Sequence, residues 1–90
     1  MIELNEGDCF KEENESHIYM ISKIHIQKCC NVFVLKKLKG EWALFMSRIR
    51  TFEEINNKIN FGIFKKLDAS EHAKLLLEAG NLINKIDFVS

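Results

Sequence analysis

The 90-residue sequence contains no proline, only four glycines and three cysteines, and no long apolar run. Without a stretch of about 20 apolar residues, no segment is predicted to cross a bilayer as a helix. Residues 1–8, "MIELNEGD", lack the basic region and apolar stretch of a secretion signal. We therefore expect a cytoplasmic protein with no membrane partner. A chain this short has apolar surface for one core, so residues 1–90 are predicted to form a single domain.

The cysteines, Cys9, Cys29 and Cys30, are odd in number and two are adjacent, which does not fit a disulfide framework. His25 and Cys29 are four residues apart, and along one strand they would share a face as part of a zinc site. Structural zinc usually draws on paired ligands such as C-x2-C, and that spacing is missing here. Small buried thiols are the better interpretation, so no metal and no other cofactor are predicted.

Net charge is zero, but the charged residues are unevenly distributed. Residues 1–15 carry six acids against one lysine, whereas residues 16–50 carry seven bases against one acid. Such asymmetry can mark an electrostatic partner. It equally fits an acidic first strand whose charges are cancelled by basic neighbours in the same sheet, and we favour that interpretation.

The first half of the chain has the two-residue period of β-strands. In "HIYMISKIHI", alternate apolar residues are predicted to share one face: Ile18, Met20, Ile24 and Ile26. In "CNVFVLKKL", two valines alternate with two larger apolar side chains: Val32 and Val34, then Phe33 and Leu35. "GDCFKE" and "EWALFMSRI" add two further predicted strands.

The second half changes to a helical period. Thr51 and Glu54 form a capping box at the start of one helix, and Gly62 is placed to end it. "IFKKL" is a short return strand, after which Asp68 and Glu71 open a second helix. The apolar stripe of that helix is predicted to be Ala73, Leu76, Gly80 (or Leu77) and Ile83.

The predicted order is β-β-β-β-α-β-α. It indicates an α+β fold in which an antiparallel meander of four to five strands packs against two helices, both on one face. The "KLKG" turn is expected to join two central strands. The predicted core is Ile18, Met20, Ile24, Val32, Val34, Leu44, Ile55, Ile59, Leu76 and Ile83.

The stretch "KKLKGEW", residues 36–42, places three lysines and a glycine before the only tryptophan. One interpretation is a phosphate-gripping β-ribbon, like the wing of a winged helix, that uses Lys36, Lys37, Lys39, Arg48 and Arg50. Zero net charge argues against it, and Trp42 and Phe45 alternate onto opposite faces, so they form no stacking platform. In the other interpretation, the lysines form a solvent-exposed hairpin tip, and Trp42 anchors the returning strand in the core or at the rim of an interface.

No catalytic motif is recognisable: the sequence has no G-x-G-x-x-G, no Walker loop and no H-E-x-x-H. No third group orients a Cys/His pair, so a non-enzyme is predicted. Glu12 and Glu13 belong to the acidic stretch "EGDCFKEENE", which could imitate nucleic-acid phosphates in a basic groove of another protein. A solvated edge strand and loop explain the same residues more simply.

"GDCF" leads into "IYMISKI", an apolar strand pair follows, and "TFEEINNKINFGIFKKL" places a short helix and a glycine before a lysine-bearing strand. This order over residues 7–67 resembles small uncharacterised proteins of phages and other mobile elements in A+T-rich Gram-positive bacteria. The resemblance implies an accessory protein that binds and inhibits a host factor, as anti-CRISPR and other anti-defence proteins do. It assigns no functional residue.

The sequence therefore predicts a small non-enzymatic module that binds a host or phage protein, since split charge suits protein recognition. A nucleic-acid-binding accessory protein that uses residues 36–40 as a wing is the alternative, and a homodimer is a further option. The candidate partner-binding residues are Lys36, Lys37, Lys39, Trp42, Arg48, Arg50, Glu12 and Glu13.

Overall fold

The computed structural model describes residues 3–13, 16–26 and 28–89, with side chains through residue 86. These residues form, in chain order, β1 (Cys9–Glu12), β2 (Ile18–His25), β3 (Cys29–Leu38), β4 (Glu41–Thr51), α1 (Phe52–Asn60), β5 (Phe64–Lys66) and α2 (Ala69–Val89). The strands make one antiparallel sheet in the order β4-β3-β2-β1-β5. The predicted α+β class and the predicted order of elements are confirmed.

Strand β4 lies at one edge of the sheet and β5 at the other. The hairpin between β3 and β4 was expected to join two central strands, and this expectation is wrong for β4. The reason is that β5 returns to β1, where Phe10 pairs with Lys66, and leaves the outer side of β4 without a strand in the described sheet.

The two helices cover opposite faces of the sheet, so the prediction of both on one face is wrong. Neighbouring residues of β1 enter different cores, Cys9 on the α2 side and Phe10 on the α1 side. The buried core beneath α2 consists of Cys9, Met20, Phe33, Leu35, Leu67, Leu75, Ala79, Ile83 and Ile86. The buried core beneath α1 consists of Leu4, Phe10, Ile21, Cys30, Val32, Ile55 and Phe64. Because β1, β2 and β3 are apolar on both faces, each face needs a cover.

A bulge in β2 changes which residues share a face. The register with β3 shifts between Ile21 and Lys23, and one extra residue moves every later side chain to the other face. Met20 therefore packs on the α2 side, whereas Ile24 packs on the α1 side. The predicted single face is wrong beyond Ser22, and Ile26 is fully exposed.

Two predicted core residues lie at the surface: Leu44 is 44% exposed and Leu76 is 49% exposed. Of the other predicted core residues, Ile18, Ile24 and Ile59 are half-buried and the rest are buried. The stripe of α2 that faces the sheet is Leu75, Ala79, Ile83 and Ile86, with Leu82 beside it. Ile83 belongs to the predicted stripe as well, but the rest of the observed stripe is rotated around the helix, because Leu75 rather than Leu76 turns toward the strands.

The predicted caps are present at both helices. Glu54 N donates to Thr51 Oγ1 at 3.1 Å, and α1 is followed by Gly62 with a φ of 76°, a left-handed conformation that favours glycine. At α2 the capping box is reciprocal: Glu71 N donates to Asp68 Oδ1 at 2.7 Å, and Asp68 N donates to Glu71 Oε1 at 3.3 Å.

Candidate functional site

The β3–β4 hairpin turns through two residues, Lys39 and Gly40, which have φ angles of 50° and 83°. Positive φ at both central positions is the geometry that matches the right-handed twist of the flanking strands. The turn is therefore tight, and Lys39 alone of the three lysines stands at its tip.

The other two lysines lie on opposite faces of β3. Lys36 places its Nζ 5.4 Å from the ring centroid of Phe45. Lys37 donates from Nζ to Glu78 of α2 at 3.0 Å and lies 5.8 Å from the ring centroid of Trp42. The hairpin thus separates the lysines that a phosphate-gripping wing would have gathered.

Trp42 attaches the hairpin to α2. Its side chain is half-buried against the α2-side core, and Nε1 donates to Glu78 Oε1 at 3.0 Å. The hydrogen bonds from Trp42 and from Lys37 hold the pKa of Glu78 below its ordinary value. Of the two roles predicted for Trp42, the structure places it in an internal contact.

Strand β4 is an 11-residue edge strand. Three of its large apolar side chains are exposed: Leu44 by 44%, Phe45 by 53% and Ile49 by 65%. Proteins usually shorten, charge or cover such edges, because a row of unpaired backbone groups is a template for pairing with another chain. Arg48 and Arg50 are the charged side chains toward its end.

On the α1 face, β4 borders a cavity of about 250 Å³, which we call the basic cleft. Its apolar wall is formed by side chains of β2, β3, β4, α1 and β5: Tyr19, Val32, Val34, Met46, Ile55 and Phe64. Its charged rim contains Arg48, Arg50, Lys58 and Glu54. Three cationic groups and one carboxylate thus surround an apolar pocket.

The rim charges are only loosely neutralised. Arg50 Nε lies 3.7 Å from Glu54 Oε2, and Lys58 Nζ lies 4.9 Å from the ring centroid of Phe64. Arg48 is exposed and makes no ion pair within the described ranges. The cationic side chains at the rim could therefore bind an anionic group.

On the α2 face, β4 borders a second cavity of about 400 Å³, which we call the β4–α2 groove. It is lined by Asn31, Phe33, Leu44, Ser47, Leu82, Lys85 and Ile86. Exposed Leu44 continues this mostly apolar groove onto the edge strand. Strand β4 thus borders a cavity on each face of the sheet.

His25 and Cys29 were expected to lie along one strand. Instead, His25 ends β2, Cys29 begins β3, and the two residues pair across the β2–β3 hairpin. His25 Nε2 contacts Asn31 Oδ1 at 3.1 Å. Among the residues that the structure describes, no group of three or more His, Cys, Asp and Glu side chains could hold a metal ion.

A pairing that the sequence did not suggest is Cys9 with His72, whose Sγ and Nε2 are 3.9 Å apart. Burial, and then the charge of Asp8, raise the pKa of Cys9 to about 12. Burial, and then neighbouring Cys29, raise the pKa of Cys30 to about 11. Both thiols are protonated near neutral pH, whereas a cysteine nucleophile needs a thiolate. Cys29 is half-buried, so it is not fully the buried thiol that was expected.

Three carboxylates of the acidic stretch, residues 6–15, bind groups within the protein. Glu6 Oε1 accepts from Ile24 N at 3.1 Å, Asp8 Oδ1 lies 3.6 Å from Lys66 Nζ, and Glu12 accepts from the Tyr19 hydroxyl at 3.1 Å. Glu12 ends β1, and Glu13 is an exposed turn residue. Residues 14 and 15 of this stretch lie outside the described residues.

The structure thus brings Arg48 and Arg50 together, places Lys36 and Lys37 on opposite faces, and keeps Glu12 and Glu13 away from β4, on β1 and its turn. Lys58 and Phe64 complete the basic cleft but were not candidates. Their sequence signal, a lysine on a helix and an aromatic residue before two lysines, is common in soluble proteins.

The chain matches no protein-family model, no curated protein and no solved structure. Within the described residues, neither helix combines the length and apolar character that crossing a membrane requires.

Proposed function

We propose that this protein is a small non-enzymatic binding module that attaches to another protein through β4 and so inhibits or modulates it. The observation that carries the proposal is the 11-residue edge strand with exposed Leu44, Phe45 and Ile49. An extended segment of a partner can add to such an edge as a further strand. Backbone hydrogen bonds then supply affinity, and side-chain pockets on the two faces supply specificity.

The class of partner follows from the resemblance of residues 7–67 to small phage and mobile-element proteins. It suggests a host factor whose surface this protein occupies. The split charge supports protein recognition, because complementary potentials orient two proteins even at zero net charge. Nucleic acid is less well supported, since Lys36 and Lys37 are held on opposite faces and Lys37 bonds Glu78.

The test compares matched surface variants of the whole chain. A partner is captured from host lysate with the tagged protein, purified, and titrated against Phe45→Lys, Ile49→Lys and, as the control, Leu77→Lys. Leu77 is 88% exposed on α2 and lines neither of the two cavities described beside β4. We expect the two β4 variants to weaken binding by at least about tenfold, as for central contact residues, and the control to bind like the wild type. Hydrogen exchange should show β4 amides protected by the purified partner.

Binding that survives both β4 substitutions would exclude this edge as the contact. If no protein is captured and the chain instead binds DNA or RNA with steep salt dependence, weakened by Lys36→Ala and Lys39→Ala, the nucleic-acid alternative is correct.

A further inference from the structure

We propose that the basic cleft receives side chains of the partner segment that pairs with β4, and that this segment carries a carboxylate next to an apolar side chain on one face. This inference rests on the proposed function and specifies the chemistry of its partner.

Size limits what the cleft can hold. Its volume of about 250 Å³ is below the roughly 300–1,000 Å³ of pockets that enclose whole small-molecule ligands. It has room for a side chain or two. Val34, Ile55 and Phe64 in its wall are each less than a tenth exposed, so the pocket behind the rim is apolar and suits an aliphatic or aromatic group.

The charges at the rim of the cleft favour a carboxylate in the partner segment. The rim offers Arg48, Arg50 and Lys58 against the single carboxylate of Glu54. Arg50 Nε lies 3.7 Å from Glu54 Oε2, which is a long ion pair between partly exposed side chains, and Arg48 has no ion-pair partner in the described part of the chain. Arginine presents a planar set of donors that matches a carboxylate. An acidic side chain at the rim would therefore complete the arrangement.

Position links the cleft to the edge strand. Met46, Arg48 and Arg50 belong to β4 itself and point to the α1 face, since they pair with Val34, Val32 and Cys30. A strand added to β4 would carry every second side chain over the same face. Its residues two apart would reach the apolar pocket and the arginine rim together.

The first arm tests the cleft without a partner. The probes are 1-naphthylacetate and its uncharged amide, 1-naphthylacetamide, followed by chemical shifts of backbone amides. We expect the carboxylate to shift the backbone amide resonances of Arg48, Arg50 and Lys58. It should also bind at least about tenfold more tightly than the amide, as for a hydrogen bond to a charged group. Arg48→Glu should remove that preference, and Lys85→Glu, on the opposite β4–α2 groove, should keep it. Equal binding of the two probes would overturn the inference.

The second arm uses the captured partner. Arg48→Glu should weaken its binding about tenfold, with an effect that shrinks at high salt, whereas Lys85→Glu should change little. If Ile49→Lys abolishes binding but Arg48→Glu does not, the edge strand is the contact and the acidic-segment inference is wrong. A third outcome is that naphthylacetate binds but neither Phe45→Lys nor Ile49→Lys weakens binding of the partner. The cleft then serves a free apolar carboxylate, and both the inference and the proposed function are wrong.

Discussion

Lys37 and Trp42 pair across the β3–β4 hairpin, and both side chains donate to one atom, Glu78 Oε1, each at 3.0 Å. The hairpin is thereby attached to the middle of α2. Replacing Glu78 by alanine should leave the indole N–H to water and shift the Trp42 emission to longer wavelength. Replacing Glu71, which bonds Lys11 instead, should leave the emission unchanged. An unchanged spectrum in the Glu78 variant would contradict this contact.

The same carboxylate predicts an acid-sensitive signal. Hydrogen bonds from Trp42 and then Lys37 lower the folded-state pKa of Glu78 from its ordinary 4.5. A depressed folded pKa means that the stabilisation is present above pH 4.5 and is lost as pH falls through the lower folded value. A fluorescence titration should therefore show a Trp42 transition with its midpoint below 4.5, and Glu78→Gln should abolish that transition.

Two leucines of β3 should differ strongly in their response to truncation. Leu35 is completely buried beneath α2, whereas Leu38 is 52% exposed near the hairpin turn. Leu35→Ala should lower the free energy of unfolding by about 2–5 kcal/mol, because it removes buried methyl groups and leaves a cavity. Leu38→Ala should change it by less than about 0.5 kcal/mol. Urea denaturation measures both, and equal effects would show that the strand register is wrong.

Two glycines should differ in the sign of their response to alanine. Gly80 is inside α2, and beyond the backbone of its own helix a Cβ there would meet no atom of the described residues within 4 Å. Gly80→Ala should therefore stabilise by up to about 1 kcal/mol through helix propensity. Gly40 has a φ of 83°, so Gly40→Ala should destabilise by about 1–2 kcal/mol through left-handed strain. Thermal unfolding distinguishes them, and a Gly80→Ala variant that melts earlier would point to unseen crowding on α2.

The cysteines should react in a fixed order with a thiol reagent. Cys29 is half-buried, while Cys9 and Cys30 are buried with pKa values raised to about 12 and 11. Since the thiolate is the reactive form, iodoacetamide near neutral pH should modify Cys29 first and the other two only on unfolding. Mass spectrometry of the peptides measures this order, and a Cys29→Ser variant should lose the early reaction. Early modification of Cys9 or Cys30 in the folded protein would contradict their burial.

Local signals in the sequence were sufficient for the order of the elements, the starts of both helices and the end of α1. The capping residues Thr51 and Asp68 act within three positions of themselves, and Gly62 ends α1 through its own backbone angle. The position of Ile24 could not be predicted, because the bulge at Ser22 depends on the pairing of β2 with β3 and leaves no mark in the alternation.

The candidate site was only partly predictable, because some of its residues are brought together by contacts between distant parts of the chain. Arg48 and Arg50 are two apart on a strand, so their shared face could be read from the sequence. Lys58 and Phe64 come from α1 and β5, and only the chain path across the sheet brings them to those arginines. Glu78, the partner of Trp42, is likewise 36 residues away along the chain.

Helix α1 connects the two edges of the sheet. It follows β4 at one edge and precedes β5 at the other, four strand spacings away. That distance is about 19 Å at roughly 4.8 Å per strand, while nine helical residues rise about 13.5 Å, and residues 61–63 bridge the remainder. A deletion of one helical turn would remove about 5.4 Å of this reach. Residues 61–63 would then have to be almost fully extended, which the left-handed turn at Gly62 does not allow, so the pairing of β5 with β1 would be weakened. The length of this crossover is therefore matched to a sheet in which β5 closes the side of β1 opposite β2.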